Sequence, residues 1–377
     1  MQKVDEKIMK LNLFKDIKGL NDEKLHPKVR LLKNELQLRK ERDILIDWTE
    51  GLVDKDHKFI REFQETFHST FWEIYLYKLF TDAGFVLDQS HQMPDYIIKS
   101  PEEIYIEAVV DNIRENGVPE NQRTIEDQLS MIVPPKLQSD FYQVLDEAIV
   151  RTSNAIVFKH QKYTQSYIRY DWIKEDAPYV IAVASFDQVN YGREYIYPIL
   201  ALLYGLYYDV DDGVYNQKSE ILKPQSLSKI PIGIFLDKTY EEVSAIIFSC
   251  TLTLGKLKSL TISNGDFSIN DVFNIHHYLD QDKYLLQYVS QDCPEDVADG
   301  VFVFHNPNAK NKLTDHFFEK IGVTQFFFEN NQLMYKGNVT PLMTRINTTK
   351  LLSPIIEVNA RECVRILNKL DVDEFYK

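Results

Sequence analysis

The sequence has little cysteine and lacks several motifs that mark common enzyme classes. Three cysteines stand far apart in a chain of 377 residues and form no CxxC pair, which excludes a disulfide framework and a cysteine zinc site; they are Cys250, Cys293 and Cys363. The chain contains no GxGxxG, GxxxxGKS/T, GxSxG or HExxH pattern. The sequence therefore lacks the usual signatures of dinucleotide oxidoreductases, P-loop motors, α/β-hydrolases and histidine zinc hydrolases.

Long apolar stretches are missing as well. No run reaches the roughly 18 apolar residues of a membrane span, and the first residues, MQKVDEKIMK, lack the apolar segment of a signal peptide. We therefore expect a cytoplasmic protein with no membrane partner. Hydrophobic residues still make up 44% of the chain and aromatic residues 12%, which predicts a folded protein rather than a disordered one.

Positive charge is in deficit, and the net charge is −14. This balance argues against a grip on nucleic acid through the whole surface, but it is compatible with a local basic groove that works with a divalent cation. Short basic groups do occur, among them Lys256 and Lys258. We expect these two side chains to lie on an ordinary solvated surface.

The patterns of apolar residues predict three parts of the chain. Alternating strand and helix patterns indicate one α/β core over residues 59–310. Residues 1–58 are expected to form a helical N-terminal extension, which packs on the core, mediates a homodimer or holds a substrate strand. Residues 311–377 form a C-terminal extension of unclear role. Within and beyond the core, we expect a buried strand over Pro178–Ala184, a helix over Glu194–Tyr208 interrupted at Pro198, and a hairpin over Gln325–Tyr335.

Glu73 stands out because it lies in FWEIYLYKLF, a run so apolar that a helix there would be largely buried. An isolated buried charge costs several kcal/mol unless its pKa shifts or a partner neutralises it. Such a carboxylate usually has a cation, a hydrogen-bond donor or a metal ion nearby. The alternative is a glutamate at the helix edge whose side chain reaches solvent.

A predicted hairpin follows this helix and carries two further acids. Asp95 precedes the run Tyr96–Lys99, a Ser-Pro turn comes next, and Glu107 lies in the second run, Ile104–Val110. If the turn is centred near Pro101, the two acids lie almost opposite one another. Facing side chains have Cβ atoms roughly 5 Å apart, a separation at which two carboxylates can share one cation.

The order of a helical Glu73, Pro-Asp at a strand start and Glu107 in the next strand resembles the PD-(D/E)xK nuclease superfamily. The resemblance covers about 45 of the 377 residues. It implies an α/β, restriction-endonuclease-like fold with a mixed central sheet flanked by helices. It further implies that Asp95 and Glu107, helped by the backbone carbonyl of Ala108, bind Mg²⁺ or Mn²⁺, and that Glu73 is the supporting carboxylate.

The lysine of the family motif, expected two residues after the second acid, is replaced by Val109. A predicted helix over Leu145–Tyr163 offers a substitute, because its periodicity places Arg151, Lys159 and Lys162 on one stripe. Lys159 is the first candidate for the displaced lysine and Lys162 the second. The alternative is that this stripe is only the solvated face of an amphipathic helix.

The resemblance therefore implies a metal-dependent nuclease whose catalytic set is Glu73, Asp95, Glu107 and Lys159. The expected partner is nucleic acid, with DNA as the expected substrate and restriction or defence as the family-level role. Two alternatives stay open. One is a catalytically inactive binding or scaffold protein with the same fold, which Val109 favours, and the other is an RNA-directed hydrolase that uses the same acids.

Overall fold

The computed structural model describes residues 9–113, 116–224, 226, 228–314 and 316–368, which form a mixed α/β structure around one large sheet. The α-helices, numbered in chain order, are α1 (Pro27–Asn34), α2 (Arg39–Asp47), α3 (Phe59–Thr66), α4 (His68–Asp82), α5 (Ile125–Ser130), α6 (Phe141–Gln165), α7 (Tyr197–Tyr204), α8 (Leu254–Ser263) and α9 (Ser353–Asn368). The strands are β1 (Val86–Asp88), β2 (Tyr96–Ser100), β3 (Ile104–Val110), β4 (Tyr179–Ala184), β5 (Leu206–Asp209), β6 (Val214–Gln217), β7 (Glu220–Leu222), β8 (Lys229–Pro231), β9 (Val243–Ser249), β10 (Asn270–Tyr278), β11 (Lys283–Tyr288), β12 (Phe302–His305), β13 (Thr324–Glu329), β14 (Gln332–Gly337) and β15 (Leu342–Thr349).

The large sheet has eight strands in the order β1-β2-β3-β4-β9-β12-β13-β14. Strands β3, β4 and β9 run parallel, as do β12 and β13, whereas the other neighbours are antiparallel. Every residue of β4 is buried, as expected for the aliphatic run at the centre of a mixed sheet. The predicted mixed α/β class, with a large mixed sheet flanked by helices, is confirmed.

Helices cover both faces of this sheet. One face packs against α4, and the helices α1, α2, α3 and α8 join the same apolar cluster. The other face packs against α6 and α7. Of the fifteen residues of α4, ten are buried, in agreement with the sequence prediction of a helix that is apolar on nearly every side.

A second sheet, which the sequence pattern did not predict, has the order β11-β10-β15. Together with α9 it extends the apolar cluster that contains α6 and α7. Its strands come from chain segments on both sides of residue 310. Long-range pairing of this kind leaves no local signature, because each strand alone reads only as a short alternating run.

The predicted helix over Glu194–Tyr208 was wrong in its extent. The helix α7 starts at Tyr197 and places Pro198 in its first turn, where a missing N–H costs no hydrogen bond. Gly205 then ends the helix in the left-handed conformation, with φ at 70°. The remaining residues form β5 instead of a last helical turn.

The predicted part boundaries at 58 and 310 do not coincide with breaks in the packing. The helices α1 and α2 belong to the same apolar cluster as α4, so residues before 59 are integrated with the core. The central sheet continues beyond 310, because the predicted hairpin forms β13 and β14 and pairs with β12. Residues 1–8 and 369–377 of the two predicted extensions lie outside the described residues.

None of the helices in the described part of the chain is both long enough and apolar enough to cross a membrane.

Candidate active site

The hairpin of β2 and β3 brings Asp95 and Glu107 together. The two strands are antiparallel, with Tyr96 opposite Ile106 and Ile97 opposite Tyr105, so continuation of this register sets Asp95 across from Glu107. The backbone N–H of Ala108 donates to Asp95 Oδ2 at 2.7 Å and fixes the orientation of that carboxylate. The register predicted from the Ser-Pro turn is confirmed.

Glu107 is 1% exposed, and three donors hold one of its two carboxylate oxygens. Oε1 accepts hydrogen bonds from Lys159 Nζ at 2.8 Å, Lys162 Nζ at 3.0 Å and the Tyr167 hydroxyl at 2.9 Å. Burial alone would raise the pKa of Glu107, but the two lysines outweigh burial and hold the pKa below its usual value. Glu107 is therefore an anion in the folded protein.

Both lysines come from α6, the predicted helix, which runs from Phe141 to Gln165. Lys159 and Lys162 are three residues apart, so they lie on one face of the helix and point at the same carboxylate. The side chain of Lys159 is 11% exposed and that of Lys162 is 34% exposed. Lys159, the first candidate from the sequence, is thus the more enclosed of the two.

The pKa values of Glu73 and Asp95 are raised, whereas the pKa of Glu107 is lowered. Burial, together with the charge of Asp95, raises the pKa of Glu73 well above its usual value. Burial and the Glu107 carboxylate raise the pKa of Asp95 to about 7, although Lys159 acts in the opposite direction. The Tyr96 hydroxyl donates to the backbone carbonyl of Glu73, which ties α4 to the start of β2. These acids share an environment that favours an added cation.

All four predicted catalytic residues line one cavity of about 1070 Å³. Its wall also carries Ala108 and Val109 from β3, Arg151 and the exposed ring of Phe158 from α6, and His26 from the N-terminal segment. The structure therefore brings together the four predicted catalytic residues, of which Glu73 and Lys159 are 86 positions apart in the chain. The cavity is large enough to admit a polymeric or drug-sized ligand.

Arg151 belongs to this wall but is occupied by structural contacts. Its guanidinium pairs with Glu194, and its Nε lies 3.8 Å from Asp111 Oδ1. Glu194 also accepts from Ser185 Oγ at 2.7 Å and from Gln188 Nε2 at 2.9 Å. This network fixes α6 against the carboxyl end of β3 and so positions the two lysines further along the helix.

Sequence reasoning missed two residues at the site, Lys55 and Tyr167. Lys55 lies before α3, and its Nζ donates to the backbone carbonyl of Asp95 at 3.3 Å. Burial lowers the pKa of Lys55, against the opposing charges of Asp95 and Glu73. No local pattern marks either residue, because Lys55 acts across 40 positions and Tyr167 across 60.

Lys55 also lines a smaller cavity of about 250 Å³ on another side of the acids. Glu73 and Asp95 line this cavity as well as the large one. The rim of the small cavity includes the exposed residues Val53 and Asp56. The two acids thus border both cavities.

The donor set suits a hard divalent cation, since it consists of carboxylates and a backbone carbonyl. Glu107 Oε2 is buried and has no hydrogen-bond partner, so one carboxylate oxygen is left for a ligand. Within the described residues, however, no group of three or more His, Cys, Asp or Glu side chains is drawn together closely enough to hold a metal ion. Asp95 and Glu107 face one another across β2 and β3, and Glu73 lines the same cavity.

Comparisons with known proteins add no family assignment. A scan against protein-family models gave no match, and searches of curated proteins and of solved structures gave no significant match.

Proposed function

We propose that this chain is a metal-dependent nuclease with a restriction-endonuclease-like core, which hydrolyses phosphodiester bonds in DNA. The observation that supports this most is the contact of Lys159 with Glu107. The resemblance requires a lysine at the second acid, Val109 cannot supply it, and the ammonium group of Lys159 lies 2.8 Å from Glu107 Oε1. Asp95 opposite Glu107 supplies the other half of the motif.

In this proposal, Asp95 and Glu107 Oε2 would hold Mg²⁺ or Mn²⁺, with the carbonyl of Ala108 and with Glu73 as supporting groups. The ion, when bound, would polarise the scissile phosphate and lower the pKa of a bound water. The Ala108 N–H and the Tyr167 hydroxyl keep the two principal carboxylates in fixed orientations. Lys159 stabilises negative charge on the attacking hydroxide or on the phosphate oxygens. This charge develops as the new P–O bond forms and the bond between phosphorus and the sugar oxygen of the leaving strand breaks.

The test is cleavage of plasmid DNA, single-stranded DNA and RNA by the purified protein with Mg²⁺ or Mn²⁺. Asp95→Ala should abolish cleavage and leave the far-UV spectrum and melting temperature nearly unchanged. Asp82→Ala is the matched control, because Asp82 is exposed and its carboxylate pairs with Lys78 one turn away in the same helix. Full activity of Asp95→Ala would overturn the proposed site, and cleavage of RNA alone would reassign the substrate.

A second candidate function is a non-catalytic binding or scaffold protein with the same core. It is favoured by the valine at position 109, where the family motif has a lysine. It is also favoured by the absence, among the described residues, of a group of three side chains placed to bind a metal ion. Titration with Mn²⁺ separates the two candidates. Binding that is lost in Asp95→Ala supports the nuclease, whereas no binding and no cleavage of any substrate would favour the scaffold.

A further inference from the structure

A second cavity, of about 400 Å³, lies away from the acids between α1, the segment before α5, the start of α8 and β15. Four basic side chains and one carboxylate line it: Lys28, Arg123, Lys258, Arg345 and Glu120. In a chain with a net charge of −14, such a local excess of positive charge is distinctive. We call this space the basic cavity.

Two of the four cations are already paired. Lys28 Nζ lies 3.1 Å from Glu120 Oε2, and Arg345 is held by Glu295, which lies behind the cavity wall. The other two have no carboxylate within ion-pair distance among the described residues. Arg123 stacks on the ring of Tyr191 at 3.9 Å, and its Nη2 donates to the Tyr191 carbonyl at 3.0 Å.

Lys258 is the least compensated of these cations. Within the described part of the chain its ammonium group makes no hydrogen bond or ion pair, although the side chain lines the basic cavity. Burial lowers the pKa of Lys258, and the charge of Lys28 lowers it further, against the opposing effect of Glu41. An anion in the cavity would stabilise the charged form of Lys258 and raise its pKa.

Unsatisfied polar atoms gather around the same space. Arg123 Nε and Thr251 Oγ1 are buried without a hydrogen-bond partner, and both residues line the basic cavity. Asn347 Oδ1, an acceptor in the same wall, is also unpaired. Lys28 is 7% exposed and Thr251 is 4% exposed. Buried polar atoms are nearly always hydrogen-bonded, so the unmet Arg123 Nε–H and Thr251 hydroxyl donors point to a ligand with acceptor oxygens.

The start of α8 adds positive potential from another direction. The helix spans ten residues, and the Thr253 side chain caps it by accepting from the Gly255 N–H at 3.3 Å. Gly255 and Lys258 are one turn apart on the face that lines the cavity. The amino end of a helix carries a partial positive charge and attracts anions.

We propose that the basic cavity binds a phosphoryl group. A phosphomonoester offers three strong acceptor oxygens and a phosphodiester two, in different directions, which matches donors that converge from α1, from the segment around Arg123 and from α8. The group comes either from the backbone of a nucleic-acid strand or from a free phosphorylated small molecule. This site is separate from the acids of the large cavity and does not depend on the proposed nuclease activity.

The position of Lys28 relates the two cavities. Its charge lowers the pKa of His26, second to burial, and His26 lines the large cavity; the pKa of His26 falls to about 4. The backbone N–H of Lys28 donates to His26 Nδ1 at 3.2 Å, so the Lys28–Glu120 pair of the basic cavity adjoins a wall residue of the candidate active site. A strand whose phosphates occupied both spaces would pass this pair.

The test measures binding without cleavage, by isothermal titration calorimetry in EDTA with the full-length Asp95→Ala protein. The probes are inorganic phosphate, pyrophosphate and a short single-stranded DNA. We expect saturable binding of at least one probe, and we expect Lys258→Gln and Arg123→Gln each to raise its Kd about tenfold, equivalent to about 1.4 kcal/mol. Lys238→Gln, which changes an exposed lysine elsewhere, should leave the Kd unchanged.

The probes distinguish the sources of the phosphoryl group. Variant-sensitive binding of phosphate or pyrophosphate supports a free ligand, and variant-sensitive binding of the DNA alone supports a strand backbone. Arg123 and Lys258 belong to different segments, so agreement between their variants argues against local misfolding, and melting curves check this directly. Absence of saturable binding for all probes, or equal Kd values in these variants and Lys238→Gln, would overturn the proposal. The readout does not require metal or catalysis, so its failure is distinct from failure of the nuclease.

Discussion

Glu107 and Glu295 are both buried glutamates that face two cations, yet their carboxylate oxygens are hydrogen-bonded differently. Glu295 has both oxygens satisfied: Oε1 accepts from Lys256 at 2.7 Å and from Arg345, and Oε2 accepts from Arg345 Nε at 2.9 Å, Asn274 Nδ2 at 2.9 Å and Ser259. Glu107 has all its donors on Oε1, and its Oε2 has none.

The neighbours of the two glutamates differ as well. The side chains of Lys256 and Glu295 are completely buried, whereas Glu107 borders the large cavity beside two acids with raised pKa values. A buried ion pair alone is therefore weak evidence of function. Unused binding capacity next to like charges is the more specific sign, because it is costly for the fold and useful for a ligand.

The largest expected effect that separates the two regions is on stability. Glu295→Gln leaves Lys256 and Arg345 buried without a counter-charge, so the free energy of unfolding should fall by about 3–5 kcal/mol. Glu107→Gln should cost less than about 1 kcal/mol, because relief of repulsion with Asp95 offsets the weakened hydrogen bonds. Urea denaturation of both variants measures this difference, and equal losses would break the comparison.

The next effect concerns catalysis and ranks the two lysines. If the proposed function is correct, Lys159→Gln should lower the cleavage rate about 100-fold, the size seen when one donor to a developing charge is removed. Lys162→Gln should lower it by no more than about tenfold, because Lys162 is more exposed and its charge is better screened. Single-turnover cleavage assays give both rates. A larger loss for Lys162→Gln would transfer the role to that residue.

Low pH should reduce the free energy of unfolding by protonating Glu295, the carboxylate that pairs with Lys256 and Arg345. Burial alone would raise the pKa of Glu295, but Arg345 and Lys256 outweigh burial and hold the folded-state pKa below the ordinary value of 4.5. The contribution of Glu295 to stability is therefore fully present above pH 4.5 and is lost as the pH falls through the folded-state value. The stability gap between wild type and Glu295→Gln, measured by urea denaturation, should narrow below pH 4.5. A gap that stays constant down to pH 3 would contradict this assignment.

The smallest expected effect comes from Tyr167→Phe. This change removes one hydrogen bond to Glu107 Oε1 and keeps the ring, so it should cost about 1 kcal/mol in stability or less than tenfold in cleavage rate. Tyr170→Phe is the matched control, because the Tyr170 hydroxyl contacts Ser166 instead of the acid. If both variants behave alike, the Tyr167 hydroxyl does not help to hold Glu107.

Local features were predictable from the sequence because they depend on neighbours along the chain. The turn at Ser100–Pro101 determined the register of Asp95 and Glu107, and the 3.6-residue periodicity of α6 placed Lys159 and Lys162 on one face. The aliphatic run of β4 indicated a central strand. The role of each acid in catalysis is still a prediction, since geometry alone does not test it.

Features that depend on distant contacts escaped prediction. Lys256, expected on a solvated surface, is completely buried, because Glu295, 39 positions away, pairs with it and the backbone carbonyls of Asp296 and Asp299 accept from its ammonium group. Lys258, in the same short basic group, is partly buried beside the basic cavity. The local sequence pattern cannot distinguish the buried Lys256 from the partly buried Lys258. Their burial depends on which side chains the second sheet brings next to α8.

The small cavity beside Lys55 has a consequence for access to the acids. A site with a single entrance can be closed by one segment or plugged by its own ligand. Glu73 and Asp95 border two cavities, so a ligand that fills the large cavity still leaves a second space beside the same carboxylates. Exclusion of water from these acids would require both spaces to be filled.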